Sequence, residues 1–218
     1  MLSVILPTLN ANRFLPATVA ALAVALVSEI VVVDGGSEIL PVAGAPALRV
    51  IVAARGRGQQ LAAGVAAARN DWLLLLHADT VLQPGWDSCA RHHMASHPNQ
   101  AAYFRFALAS RDPQARRLER LVAWRCRIFA LPYGDQGLLV HRDLLVRIGG
   151  VPIMPLMEDV ALVRHLGRQR LVGIDAIATT SAHKWEQQGW TRRSLRNLCC
   201  LSLYLIGIPP SWIARIYP

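Results

Sequence analysis

Lysine is almost missing from this chain. Of its 23 basic residues 22 are arginine, and Lys184 is the only lysine. Positive charge built from arginine favours forked, bidentate contact with phosphate over point-charge contact. Acids are scarce too: 14 against 23 leaves a formal net charge of +9. That balance is compatible with nucleic acid, an anionic membrane surface or a phosphorylated substrate. Cysteines are few (Cys89, Cys126, Cys199 and Cys200), and none stands in a CxxC pair. This excludes the common zinc signatures and any disulfide framework, and implies reduced thiols in a cytosolic protein. No leader peptide is legible ahead of the first apolar run. No apolar run approaches the roughly 20 residues that span a bilayer. The stretch Leu198–Ile208 reads as a buried helix, or as an interfacial contact with the inner face of a membrane, because Arg192, Arg193 and Arg196 precede it. Internal repeats and low-complexity linkers are absent, and 53% apolar with 17% charged residues excludes disorder.

The familiar nucleotide signatures are absent as well. A Walker loop needs a lysine before serine or threonine in a glycine-rich turn, and Lys184 sits after His183 instead. A dinucleotide fingerprint needs GxGxxG after the first strand, where this chain reads "PTLNAN"; the later "GRGQQL" has Leu61 at the third glycine. A sugar-phosphate nucleotidyltransferase would carry a glycine-rich turn in the same place. Helix-turn-helix, zinc-finger and aromatic RNA-binding patterns are not legible, so charge alone speaks for nucleic acid and we expect none.

What is present is an alternation. Short apolar runs predict strands at Leu2–Leu6, Glu29–Val33, Arg49–Ala53 and Trp72–Leu76, separated by helical patterns at Phe14–Val27 and Gly56–Arg69. Each strand ends in a polar cluster: "PTLN", "DGGS", "RGRGQQ" and "HADT". In a parallel α/β sheet these ends converge on one rim, where ligands bind. The second half predicts a strand at Ala101–Leu108, a helix at Pro113–Phe129, a loop "YGDQG" and a short strand at Leu138–Val140. A helix opening on "MEDV", short strands at Arg170–Ile174 and Ile177–Thr180, and a last helix at Thr191–Ile206 follow. We read a single domain: a nucleotide-binding half (1–97), an acceptor or catalytic half (98–190) and a basic-apolar helical tail (191–218).

With "PTLN", "VVVDGGS", "HADT", "GDQG", "MEDV" and "HKW" in that order, the chain resembles family 2 glycosyltransferases of GT-A fold. It is most similar to a small bacterial subfamily known as arsenosugar-biosynthesis glycosyltransferases, in which the usual DXD motif is written "HAD". The resemblance implies a mostly parallel central sheet flanked by helices. It also implies a nucleoside diphosphate-sugar donor, with a uridine nucleotide expected, a divalent metal (Mg²⁺ or Mn²⁺), a hydroxyl acceptor and inversion at the anomeric carbon.

The residues carry that chemistry as follows. Asp79 is the expected metal ligand, since a hard cation takes oxygen ligands and bridges phosphates. His77, two residues earlier, stands where the first acid of DXD would be; binding the nucleotide, touching the metal through water and bonding within the core are all open to it. In the family, the aspartate at the position of Asp34 recognises the base, while an Asx-turn acceptor for Gly35-Gly36 is the alternative. Thr8 and Leu9 are expected beside the base. Arg55 and Arg57, at a helix N-terminus, read as a phosphate cradle, with Gln60 in the same donor set. Adjacent carboxylates such as Glu158 and Asp159 repel in a partly closed site and raise one pKa, which suits a general base. The resemblance gives that role to Asp159, leaving Glu158 to position the acceptor or brace the loop. Asp135 and Gln136 are expected near the donor sugar or acceptor. Lys184 is expected at the diphosphate, His183 at the metal and Trp185 against a sugar or base.

Two departures fall in the donor pocket. Ala11 stands where relatives carry an acid, and the loop after Asp34 reads "DGGSEILPVAGAP" in place of "DGGSTDGT", with Glu38 as the one substitute acid. These losses leave a second reading open, a nucleotide-sugar-binding scaffold that no longer transfers. The arginine-rich helix and tail suit a lipid-linked or anionic acceptor, peripheral membrane contact or a homodimer.

Overall fold

Strand β1 (Leu2–Thr8) is apolar on both faces, so it can sit only in the middle of a sheet covered on both sides. The computed structural model, which describes residues 1–41 and 47–217, places it there. One eight-stranded sheet runs β3-β2-β1-β4-β7-β6-β8-β5. Its strands are β2 (Val27–Asp34), β3 (Leu48–Val52), β4 (Trp72–Leu75), β5 (Thr80–Leu82), β6 (Ala101–Leu108), β7 (Leu138–His141) and β8 (Leu171–Thr180). β1 pairs in parallel with β2 and β4, β2 with β3, and β6 with β8; the other three neighbouring pairs are antiparallel.

Alternation along β1 divides the core. Leu2, Val4 and Leu6 join Val32, Leu74 and Trp86 on one face, under α1 (Leu15–Ala21) and α3 (Trp86–Ser96). Ile5 joins Val33, Leu75, Leu61 and Leu162 on the other, under α2 (Arg57–Ala67), α5 (Arg142–Arg147) and α6 (Glu158–Leu166). The remaining helices are α4 (Pro113–Phe129), α7 (His183–Gln188), α8 (Trp190–Leu205) and α9 (Pro210–Ile216).

The order of strands forces the sheet to curl. β4 and β5 follow one another with only residues 76–79 between them, yet β7, β6 and β8 lie between them in the sheet. Flat, that separation is about 19 Å at about 4.8 Å per strand, and a fully extended link from Leu75 to Thr80 reaches only about 18 Å. The link also contains a turn, so the β6-β8-β5 edge must bend back over the end of β4. The fold thereby brings the rim of β1 to β4 against the end of β8.

Several sequence expectations shift. The helix expected over Phe14–Val27 ends at Ala21, because Leu22 and Leu26 both enter the first core cluster and the chain must turn back to start β2. The two strands expected at 170–174 and 177–180 are one, β8, with a register slip opposite Tyr103–Arg105. β1 continues through Pro7; its missing N–H points to the β4 side, beyond the last β1–β4 pair at Ile5 and Leu75. Part of the altered loop after Asp34, residues 42–46, lies outside the described residues.

Candidate active site

The "HADT" motif is the turn that joins β4 to β5, not a continuation of the strand. Besides the Thr80–Thr180 hydroxyl contact at 2.7 Å, three bonds to its carbonyls hold it. Thr18 Oγ1 of α1 donates to the Ala78 carbonyl at 2.8 Å, Thr80 N–H donates to the His77 carbonyl at 3.2 Å, and Ser181 N–H, beyond β8, donates to the Asp79 carbonyl at 3.1 Å. The curl of the sheet is therefore what fixes Asp79.

A cavity of about 250 Å³ opens beside this turn. Asp79, His77, Asp135, Glu158, Asp159 and Arg57 line it, with Lys184 and Trp185 on the α7 side. The acids at 79 and 159 thus share one hollow, though they come from opposite halves of the chain.

Asp159 is held at both oxygens. Oδ2 accepts the Gly134 N–H at 2.9 Å and Oδ1 accepts the Val160 N–H at 2.8 Å. Each oxygen keeps a second acceptor site for a ligand proton. The residue before the pair, Met157, has φ 67°, a conformation that costs a side-chain-bearing residue energy and aims Glu158 and Asp159 from the first turn of α6. Glu158 is buried and its Oε1 lies 3.2 Å from Arg57 Nη1. The two form an ion pair without a formed hydrogen bond at that oxygen. Desolvation raises the Glu158 pKa, opposed by Arg57 and reinforced by Asp159. Arg57 lines the cavity with its side chain 42% exposed. Desolvation works against its charge, but Glu158 and Asp159 outweigh it and raise its pKa.

Besides Glu158 Oε1, the wall holds unpartnered buried polar atoms at His77 Nε2, Asp135 Oδ1, Arg193 Nε and Asn197 Oδ1. Burial pushes Asp135 up to about 6, with Arg125 opposing and the Asp159 and Asp79 charges adding to the rise. Burial, helped by Arg57 and Lys184, pushes His77 well below the usual imidazole value, so its ring is neutral. Lys184 is exposed at the mouth of the cavity; desolvation lowers its pKa and Asp79 acts in the opposite direction. A divalent cation suits this donor set in part. Asp79 and the unpartnered oxygen of Asp135 are hard ligands on one cavity, and Mg²⁺ or Mn²⁺ at a phosphate takes one or two carboxylates plus water and phosphate oxygens. Among the described residues no three ligand side chains are preassembled.

Other predicted residues sit elsewhere. Asp34 is fully buried at the end of β2, where its carboxylate accepts from Gly36 N–H (2.9 Å), Ser37 N–H (2.8 Å), the Ser37 hydroxyl and the Thr8 hydroxyl (3.3 Å). Desolvation opposes its ionisation, but these donors outweigh it and lower its pKa. Gln60 is buried beside it and donates to the Thr8 and Val33 carbonyls, both at 2.7 Å, tying α2 to β1 and β2. Leu9 and Arg55 are exposed at the same rim, outside the cavity wall. Gln136 is buried and pins its loop, donating to the Phe104 carbonyl at 3.0 Å and accepting from Tyr133 N–H at 3.2 Å. His183 lies 6.2 Å from the Phe14 ring and does not line the cavity.

The wall also contains residues the sequence did not single out for this role: Tyr133, Arg193, Asn197 and Tyr217. Arg193 and Asn197 are one helical turn apart on α8, a spacing that places both on one face. Arg193 reaches Gln188 Oε1 at 2.7 Å and lies 5.1 Å over the Trp185 ring. Arg196 also bonds Gln188 and lies 5.1 Å over Tyr217. Two of the three arginines expected to flank a membrane contact thus face the interior, because they tie α8 to α7 and to the chain end; Arg192 alone stays exposed.

Comparison with known proteins agrees with this architecture. The chain is similar in structure to S. aureus TarS 1–349 in complex with UDP-GlcNAc (17% identity, TM-score 0.62, covering 82% of this chain and 58% of that one). It is also similar to glucosyl-3-phosphoglycerate synthase from Mycobacterium tuberculosis in complex with Mn²⁺, UDP-glucose and phosphoglyceric acid (18%, TM-score 0.56, 83% and 70%). A mycobacterial protein aligns at 23% identity and TM-score 0.54, over 83% of this chain and 65% of its own. The chain therefore spans under two thirds of the length of two of these three. At such identities the likeness shows the fold, a GT-A type α/β sheet. No curated protein sequence matches the chain. The model of glycosyl transferase family 2 matches residues 3–151, well over half of the 218 residues, and the chain belongs to that family.

Proposed function

We propose that the protein transfers a sugar, with inversion, from a nucleoside diphosphate-sugar to a hydroxyl acceptor. A UDP-sugar is the donor that fits best, since both TarS and the mycobacterial synthase hold UDP-sugars. The motif likeness to the arsenosugar-biosynthesis subfamily supports a related role within family 2. The observation that carries the reading is one shared cavity lined by Asp79, Asp159, Arg57 and Lys184.

In this reading Asp159 takes the proton from the acceptor hydroxyl. The acceptor oxygen then attacks the anomeric carbon, and the bond from that carbon to the diphosphate oxygen breaks on the opposite side. Both Asp159 oxygens are already fixed by backbone N–H groups, so the base needs no reorganisation. Asp79, with Asp135, would hold the divalent cation, which when bound neutralises charge on the leaving diphosphate. Arg57 and Lys184 bring positive charge to the same end, and Trp185 offers a face for the sugar. Glu158 holds Arg57. Asp34 shapes the base pocket by ordering the Gly35–Ser37 turn. The halves 1–97 and 98–190 divide the work as donor and acceptor sides, and the segment 191–218 walls the site through Arg193, Asn197 and Tyr217.

Asp159→Asn is the direct test. Transfer, read as nucleoside diphosphate release with a panel of sugars and acceptors, should fall about 10²- to 10⁴-fold, the usual worth of a general base. Nucleotide affinity should persist. A variant that turns over at the wild-type rate removes the base assignment. A wild-type protein that binds nucleotide sugars and never releases the diphosphate is the non-transferring scaffold, a reading favoured by the full engagement of Asp34 inside the protein.

A further inference from the structure

A broad apolar face remains unpartnered on the far side of the arginine-rich helix. On α4, Leu121 is 62% exposed, Trp124 53% and Ile128 42%. Their spacing of three and four puts them in one line on the helix surface. Arg117 falls on that line, and Arg120 and Arg127 form the row beside it, all exposed. An ordinary surface helix turns this kind of stripe inward. Here α4 uses Val122 and Cys126 for the core and shows the second stripe to solvent.

The C-terminal helices also carry exposed apolar residues. Leu195, Leu198 and Leu205 are exposed along α8, and Trp212 and Ile216 on α9. Trp190, at the start of α8, shares an apolar cluster with Leu118 and Val122 of α4. Leu201 and Tyr204, near its end, share another with Leu131, just past α4. Both helices thus share apolar clusters with the same part of the molecule, and each keeps an exposed apolar stripe of its own. No aspartate or glutamate side chain occurs after Glu186, and Arg192 and Arg215 are exposed in this part of the chain.

We propose that this face docks on an anionic phospholipid bilayer. Apolar and aromatic side chains bordered by arginine fit the headgroup–acyl boundary, where tryptophan is at home and arginine meets lipid phosphate. A second copy of the chain suits the face poorly, since a two-fold contact would bring arginine rows together where no acid answers them. Among the described residues no helix is long and apolar enough to cross a membrane, so contact by this route is interfacial.

Co-sedimentation of the full chain with vesicles tests this. Vesicles of phosphatidylcholine with phosphatidylglycerol should carry the protein down, less so as salt rises, and pure phosphatidylcholine should carry little. The triple change Arg117→Gln, Arg120→Gln, Arg127→Gln should weaken partition about a hundredfold, at the usual worth of an arginine near an anionic surface. Trp124→Glu with Leu198→Glu should abolish it, while Trp124→Phe should keep it. Nucleotide affinity and circular dichroism of each variant check that the fold is intact. Failure of the folded wild-type chain to bind anionic vesicles overturns the proposal. So does binding that the glutamate pair leaves unchanged, or a solution dimer that the glutamate pair splits.

Discussion

Gly134 shows how little room the proposed base has. Its N–H donates to Asp159 Oδ2, and a Cβ built on it would lie 2.6 Å from His77 Nε2 and 3.5 Å from that same carboxylate oxygen. Any side chain must therefore push either the imidazole or the loop away. Gly134→Ala should leave the fold intact by circular dichroism and cut kcat about a hundredfold, the cost of misplacing a reacting group by about 1 Å. Wild-type kcat in Gly134→Ala would show that the Gly134–Asp159 bond does not position the base. Asp135 makes the opposite case, a residue whose environment works against stability. Its carboxyl is raised to about 6 in the fold against an ordinary 3.8. Between these values the folded state holds a proton that the unfolded state has released, so this group costs nothing below about pH 4. The cost grows as pH rises and is complete above about 6. Asp135→Asn should raise Tm at pH 7.5 and leave it unchanged at pH 4. Equal Tm differences at both pH values would deny the buried charge.

At the scale of elements, α2 matters most, because it presents Arg57 to the cavity from one end. Its other end carries no basic residue of its own in the last turn. Arg142, from the start of α5, supplies the cap: Nη1 donates to the Val65 carbonyl at 3.0 Å, and Nη2 to Ala68 at 2.7 Å and Asn70 at 3.0 Å. Arg142→Ala strands these carbonyls and should cost about 2 kcal/mol, the range for hydrogen bonds to a charged donor. At this size that is a Tm loss of about 4–8 °C by scanning calorimetry, and no loss would mean water caps the helix equally well. Such a cap could not be read from the sequence, since its donor lies more than 70 residues away. Local signals were legible. The bounds of α4 agree with the sequence because Asp112 caps the Gln114 N–H at 2.8 Å and Pro113 stands in the first turn. The bounds of β6 agree because Ala102, Phe104, Phe106 and Leu108 alternate onto one buried face. Short helices such as α5, α7 and α9, and the three-residue β5, carry too few residues for a period, and tertiary pairing alone makes them regular.

At the scale of the molecule, the cavity is a joint product of remote segments. The matched family region ends at residue 151, while Glu158, Asp159, Lys184 and Tyr217 lie beyond it. The conjunction of Asp79 and Asp159 could be inferred from motif order; the entry of α8 and the chain end into the same wall could not, because it follows from the curl of the sheet. A nucleoside diphosphate bound there should bridge these segments and stabilise the whole chain. At a hundredfold excess over Kd the gain is about 2.7 kcal/mol, or a Tm rise of about 5–10 °C for a chain of this size. UDP with Mn²⁺ should give a larger rise than UDP alone, and other nucleoside diphosphates a smaller one. Asp79→Asn should lose the Mn²⁺-dependent part and keep the rest, since Arg57 and Lys184 remain. An Mn²⁺ increment that survives in Asp79→Asn would move the metal away from this turn, and a wild-type chain indifferent to every nucleoside diphosphate would leave the cavity without its proposed ligand.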